Sequence, residues 1–135
     1  MDLLARREHS QFELRSKLKA KGYAENLIDN VLHDLIKENL QSDQRFAESY
    51  IAMRTKRGYG PLRIAVELRE RGINDNIINQ FINNNDEQWN IEAMRVREKK
   101  FGIKIPTTLK ERVRQSKFLQ YRGFNTQQIR SALEN

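Results

Sequence analysis

The stretch 45–73, RFAESYIAMRTKRGYGPLRIAVELRERGI, decides how the chain is read. Its first half sets Phe46, Ala47, Tyr50 and Ile51 on one stripe at helical spacing, and its second half does the same with Ile64, Ala65 and Leu68. Between the halves lies Gly58-Tyr59-Gly60-Pro61. Proline has a fixed φ suited to the first turn of a helix and no N–H to leave unpaired there, so Gly60-Pro61 reads as an N-cap followed by a helix start. The unit closes at Gly72, where no β-carbon opposes the left-handed conformation that ends many helices. The stretch predicts helix, tight turn, helix and stop, rich in Arg and Lys and without a catalytic pattern.

Outward from this stretch the same phase recurs. Glycines stand at Gly22, Gly72 and Gly123, spaced 50 and 51 residues apart, each preceded by Lys or Arg and followed by Tyr23, Ile73 or Phe124. Four residues before each lies Leu18, Leu68 or Leu119; six after lies Ile28, Ile78 or Ile129; ten after lies Leu32, Ile82 or Leu133. One apolar face is thus rebuilt three times, which is the signature of a repeat protein.

In the first repeat Ser10-Gln11-Phe12-Glu13 forms a capping box that starts a helix at about Gln11. A longer helix over about 25–40 follows, with Leu27, Ile28, Val31, Leu32, Leu35 and Ile36 on its apolar face. In the second, Ser42 and Asp43 offer an N-cap for the Phe46 helix, and Asn74 caps a third helix running to about Asn85. In the third, Trp89, Ala93, Met94 and Val96 give the first helix, broken by Gly102 and Pro106. Thr108 and Glu111 form a second capping box, placed so that its helix is about one turn longer than its counterpart in the first repeat. Asn125 and Gln128 cap a final helix carrying Ile129 and Leu133. No segment alternates as a strand does. A module of this size is marginal alone, so each leans on its neighbour. The expected fold is all-α: an elongated tandem array of three three-helix repeats, 1–41, 42–87 and 88–135, the first of them N-terminally shortened.

Composition narrows the functions. Of 135 residues, 38% are hydrophobic and 32% charged, which together with periodic apolar spacing means a folded chain with little core to spare. There is no cysteine, so no disulfide and no thiolate metal site, and His9 and His33 have no partner at ligand spacing. No metal or other cofactor is expected. No apolar run approaches membrane-spanning length, and Arg6, Arg7, Glu8 and His9 stand where a signal peptide needs its apolar segment, so the expectation is a cytoplasmic protein with no membrane partner. Gly58-x-Gly60 lacks the strand before it and the Gly-Lys-Ser/Thr after it that a phosphate-binding loop needs. Asp86-Glu87 point about 100° apart on a helix and have no nucleophile beside them, and no Ser-His pairing is specified, so no enzyme activity is expected.

The net charge of +7 favours a polyanionic partner. Residues 1–41 and 42–87 each hold 7 basic and 7 acidic side chains, whereas 88–135 hold 11 and 4, so the whole excess lies in the third repeat. Within 54–72 the 6 basic residues Arg54, Lys56, Arg57, Arg63, Arg69 and Arg71 meet 2 acidic ones. In the third repeat the candidates for contact are Arg95, Arg97, Lys99, Lys100, Lys104, Lys110, Arg112, Arg114, Lys117 and Arg122. For any single residue the alternative is a solvated helix face kept soluble by charge. Tyr59 in its glycine-flanked turn is either an exposed anchor or packed under the turn itself. Phe46, Tyr50, Trp89 and Phe101 read as core, and His9 as structural or exposed beside Ser10.

Together these features resemble the RecX family, bacterial regulators of the RecA recombinase. The resemblance is carried by Arg7-Glu8-His9-Ser10 with Glu13-Leu14, by Asp43-Gln44-Arg45-Phe46-Ala47 and Tyr50-Ile51, and by Lys56-Arg57-Gly58-Tyr59-Gly60-Pro61. Ile64, Glu67-Leu68, Gly72-Ile73, Lys117-Phe118-Leu119 and Arg122-Gly123-Phe124 extend it through nearly the whole chain. The departure is at the start, since family members usually carry more chain before the Arg-x-His-Ser segment. The resemblance implies a monomeric, non-enzymatic protein of tandem three-helix repeats. Such a protein binds along the groove of the RecA filament on DNA, blocks filament extension and modulates recombination, DNA repair and the SOS response. Contact with single- and double-stranded DNA would be weaker or indirect. The reading from another class is a stand-alone DNA- or RNA-binding protein using its basic third repeat, since helix, glycine turn, helix units also describe helix-turn-helix modules.

Overall fold

A computed structural model of the chain describes residues 7–134, and the described residues form eight α-helices and no strand. They are α1 (Gln11–Ala20), α2 (Glu25–Lys37), α3 (Asp43–Lys56), α4 (Pro61–Glu70), α5 (Asp75–Phe81), α6 (Glu87–Phe101), α7 (Leu109–Arg122) and α8 (Thr126–Glu134). The sequence before Arg7, where the first repeat was expected to be shortened, lies outside the described residues.

Polar side chains start the helices as their spacing predicts. Ser10 Oγ accepts from Glu13 N at 3.1 Å while Glu13 Oε1 accepts from Ser10 N at 3.3 Å, a complete capping box. Ser42 Oγ accepts from Arg45 N and Asn74 Oδ1 from Ile77 N. Asn125 and Gln128 bond reciprocally, each backbone N–H to the other's side-chain oxygen at 2.8 Å. Thr108 makes only half of its box: Thr108 Oγ1 accepts from Glu111 N, but the Glu111 carboxylate is held instead by Gln115 and Arg114. The Gln115 hydrogen bond is the leading reason that the Glu111 carboxyl lies below its ordinary range. At 14 residues against 10, α7 is longer than α1 by about the expected turn.

The repeat in the sequence is a repeated helix stop. Gly22, Gly72 and Gly123 have φ of 91°, 80° and 101°. At each, the next residue donates back to the leucine four positions before the glycine: Tyr23 N to Leu18 O, Ile73 N to Leu68 O and Phe124 N to Leu119 O, at 3.0–3.3 Å. The glycine N–H itself bonds the residue three before it in all three cases. This is the Schellman pattern, which pairs a left-handed residue with an apolar contact across the stop. The leucine, the glycine and the apolar residue therefore recur together because one hydrogen-bonded motif uses all three.

Two helices end sooner than periodicity alone predicts. Helix α2 stops at Lys37 because Asn39 adopts φ 61° and the N–H groups of Leu40 and Gln41 both turn back to Leu35 O. Helix α5 stops at Phe81 rather than near Asn85, since Asn83 Oδ1 takes Asn85 N and Asn83 O takes Asp86 N, setting Asp86 to cap α6.

The chain divides into two compact units, one of Met1–Ile51 with Glu67–Phe81 and one of Ala52–Val66 with Ile82–Asn135. In the first, Leu14, Ile28, Leu32 and Leu35 form a buried cluster with Leu18 and Val31 against it. Around it the residues that carry the family resemblance do structural work. Ser10 Oγ donates to Arg71 O at 2.8 Å, Gln41 Nε2 to His9 O at 3.2 Å, and Arg45 reaches Glu8 Oε1 at 3.0 Å and the carbonyl of Asn39 at 2.9 Å. In the second, Ile64, Trp89, Ala93, Val96, Leu119, Phe124 and Ala132 are buried, and α6 packs most closely on α8.

His9 is structural and buried, at 2% exposure. Its Nδ1 lies 3.0 Å from Arg7 O and its Nε2 3.0 Å from Lys17 Nζ, so Lys17 donates and the ring is neutral with its proton on Nδ1. Burial, followed by the positive charges of Arg7 and Lys17, lowers its pKa below the ordinary 6.5. Below about pH 6.5 the unfolded chain takes up a proton that the folded chain resists, so this contribution is full above that value and is lost as pH falls. The urea midpoint should therefore fall between pH 7 and about 5.5, and His9→Gln should flatten that part of the profile.

Candidate functional site

The second unit is built on a contact between two turns. Gly60 N donates to Arg122 O at 2.7 Å, and Leu62 N donates to Gly123 O at 3.0 Å. A β-carbon on Gly60 would lie 2.6 Å from the carbonyl carbon and oxygen of Gly123, and one on Gly123 would collide with Arg63 Cβ. Backbone meets backbone only because both positions are glycine. The Gly-Tyr-Gly-Pro turn before α4 and the Arg-Gly-Phe turn after α7 are thereby locked together, residue by residue.

Locking the turns assembles a cationic shell on one ring. Helix α3 ends in a fourth Schellman stop at Gly58, with Tyr59 N bonded to Arg54 O at 3.1 Å. Where such a stop usually pairs two apolar side chains, here it lays the Arg54 guanidinium 3.8 Å from the Tyr59 ring centroid. Arg63 from α4 lies 4.6 Å from the same centroid and Arg122 from α7 4.8 Å. Arg63 also lies 5.1 Å from the Tyr121 ring and donates to Tyr121 O, while Arg122 lies 5.1 Å from the Phe118 ring and donates to Arg57 O. Tyr59 is half-buried among these groups, so it is neither a bare anchor nor a residue tucked wholly beneath its turn.

The other candidates fall into distinct places. Lys56, Arg57, Lys99, Lys100, Lys104, Lys110 and Lys117 are exposed. Arg95 is exposed but paired with Glu92 at 2.8 Å, and Arg114 is paired with Glu111 at 2.8 Å while lying 5.0 Å from the Phe101 ring. Arg112 is half-buried and reaches Pro106 O. Arg69 and Arg71 belong to the first unit, Arg69 paired with Asp75 and Arg71 lying 4.8 Å from the Tyr50 ring.

Arg97 requires a correction. It is 0% exposed, and its guanidinium donates to Ala132 O at 2.9 Å and to Gly102 O and Lys104 O at 3.2 Å. It is an internal strut holding carbonyls at the ends of α6 and α8, groups that helix geometry leaves without donors, and it cannot present its charge to a partner. Its position carries the signal: Trp89, Ala93, Val96 and Arg97 all lie on the buried stripe of α6. Phe118 and Tyr121 were not among the contact candidates although they stand four and one residues before Arg122, where helical spacing puts Phe118 on the Arg122 face.

The arrangement offers positive charge held against aromatic faces, and among the described residues no group of three or more His, Cys, Asp or Glu side chains could hold a metal ion. Positive charge held in this way can attract an anion.

Comparison with known proteins agrees along the whole chain. Profiles described as the first, second and third three-helix domains of RecX match residues 1–35, 42–81 and 91–133. The regulatory protein RecX of Halorhodospira halophila is 43% identical over 96% of this chain and 81% of its own length. That of Ectopseudomonas mendocina is 40% identical over 96% of this chain and 86% of its own. The crystal structure of RecX from Lactobacillus salivarius shares the fold, with a TM-score of 0.84 at 21% identity, covering 98% of this chain and 88% of the other.

Two substitutions check this construction by chemical denaturation. Gly60→Ala must part the turns and should cost about 1–3 kcal/mol, whereas Gly22→Ala, with nothing within 4 Å of the added carbon, should cost only backbone strain of about 1 kcal/mol. Arg97→Met should cost roughly 1–3 kcal/mol, since the buried Ala132 carbonyl loses its donor and the bonds to Gly102 O and Lys104 O go with it.

Proposed function

The chain belongs to the RecX family, and from that premise we propose that it regulates the RecA recombinase by binding in the groove of the RecA filament on DNA. Bound there, it blocks filament extension and so lowers strand exchange, ATP hydrolysis and the filament-dependent SOS signal. The observation that carries this reading is the guanidinium shell on Tyr59, assembled from the Gly-Tyr-Gly-Pro segment of the second matched domain and the Arg122 turn of the third. A cationic surface organised before binding suits a filament that exposes DNA phosphate and acidic side chains together.

In this reading the protein acts by occupancy, as a monomer whose three-helix repeats supply successive points of contact, and the third repeat, with all of the charge excess, supplies most of the long-range attraction. It works in the cytoplasm, where its filament forms; no helix among the described residues is long and apolar enough to cross a membrane. The same charge excess is what favours the second reading, a protein that binds DNA or RNA on its own account.

Titration into RecA–DNA filaments should slow DNA-dependent ATP hydrolysis at substoichiometric protein, and an unchanged rate at equimolar protein would sink the RecA reading. The combined variant Lys99→Glu, Lys100→Glu, Lys110→Glu, Arg114→Glu should keep its helical circular dichroism and lose filament binding at physiological salt.

A further inference from the structure

Beside the Tyr59 shell, the end of α3 faces α6 and α7 across a hollow of about 240 Å³ floored by Gly58, Val96 and Phe118. Its rim carries Lys56, Arg57, Arg95, Lys99, Lys100 and Arg122, and no carboxylate lines it. We infer that this hollow is a seat for one backbone phosphate of a nucleic acid, bound directly by the protein.

Charge is the first argument. Arg95 is paired with Glu92, but no ion pair joins Lys56, Arg57, Lys99, Lys100 or Arg122 to a carboxylate among the described residues. Five uncompensated cations converging on one concavity repel one another, and a solvated face would spread them apart. Elsewhere in the same unit Arg114 is paired with Glu111. The hollow lacks an anion that only a partner can supply.

Preorganisation is the second. Gly58 is buried with φ 91°, and a β-carbon there would stand 3.3 Å from Val96 Cγ2 and 3.7 Å from Arg122 Nη1. Arg122 lies across the floor, its Nη1 donating to Arg57 O and its guanidinium carbon 5.1 Å from the Phe118 centroid and 4.8 Å from that of Tyr59. Lys100 Nζ stands 5.7 Å from the Phe118 ring centroid. The charges are thus partly positioned before any ligand arrives, which lowers the ordering cost of binding.

Shape and size choose the ligand. The hollow holds about eight water volumes and falls below the ~300 Å³ of a pocket for a whole drug-sized ligand, so it suits a phosphodiester group rather than an entire nucleotide. Ammonium and guanidinium groups approach from three helices, matching a tetrahedral phosphate open on several sides. A side-chain carboxylate is planar and is best met by one bidentate fork. Arg122 is shared with the Tyr59 shell, so a chain leaving the hollow meets further positive charge at once, as a polymer of phosphates requires.

This inference deepens the proposed function and rests on it for the expectation that the polyanion is DNA; its test leaves RecA out. Anisotropy of an end-labelled oligothymidylate is followed with the full chain over a series of NaCl concentrations. Lys99→Ala/Lys100→Ala should weaken binding about tenfold and reduce the slope of log K against log salt by about 0.7 per lost contact. Lys21→Ala/Lys37→Ala removes the same charge from exposed sites of the first unit and should change affinity less than about twofold. Inorganic pyrophosphate should displace the oligonucleotide, and polyglutamate of matched charge should not. Equal losses in the two double variants would mean diffuse attraction and overturn the seat, as would polyglutamate competing as well as pyrophosphate. Wild-type binding of this pattern with RecA hydrolysis untouched would keep the seat and remove the RecA reading, and inhibited hydrolysis without oligonucleotide binding would do the reverse.

Discussion

The contact between Gly60 and Gly123 is the constraint on which the second unit depends. Two helical turns approach until an amide of one bonds a carbonyl of the other at 2.7 Å, leaving no space for a methyl group between them. The cation shell on Tyr59 is referenced to that contact. Arg54 and Arg63 are fixed by the helices on either side of the first turn, and Arg122 is the residue before Gly123. A looser contact would let the three guanidiniums drift from Tyr59 and from one another, because long side chains on separate helices share no other rigid reference.

The fold was legible for a local reason. Each repeat ends its helix with a leucine, a basic residue, a glycine and an apolar residue in constant register, and the hydrogen bonds Leu18 to Tyr23, Leu68 to Ile73 and Leu119 to Phe124 show that this register is a single motif used three times. Caps at Ser10, Ser42, Asn74 and Asn125 were readable for the same reason, since a capping side chain and its amide lie within three residues. What periodicity overran were helix ends set by asparagine. Asn39 takes a left-handed backbone and Asn83 builds a turn from its own side chain, and neither residue interrupts an apolar pattern until its dihedral angles are known.

The site was less legible, because composition counts charges without their depth. Arg97 contributes to the same charge excess as Lys99 and Lys100, yet it is sealed inside while they stand in solvent. The distinction lies in helical phase, as Arg97 falls on the stripe of Trp89, Ala93 and Val96 and its neighbours do not. The glycines of the central turn pointed to tight geometry, but the identity of what they approach was out of reach: Gly60 and Gly123 are far apart in sequence, and nothing local announces their meeting. Phe46, Tyr50, Trp89 and Phe101 were assigned to the core by spacing, which holds for Phe46 and Trp89, both buried, whereas Tyr50 and Phe101 are only half-buried. Tyr59 escapes that assignment because a helix stop, not a helix face, positions it.

The cation–aromatic arrangement also bears on how such a surface stays both folded and attractive to anions. Guanidinium groups stacked on rings retain their full charge while burying part of their weakly hydrated faces, so packing and electrostatics do not compete as they would for a buried ion pair. Pairing a cation with a carboxylate orders it equally well but cancels its field. In the first unit that second solution prevails, with Arg45 on Glu8 and Arg15 on Asp29. Around Phe118 the ring contacts of Arg122 and Lys100 hold charge in place without neutralising it. Arginine thus serves cohesion by ion pairs in the first unit, with Arg45 on Glu8, and in the second also lies against rings, as Arg122 does on Phe118.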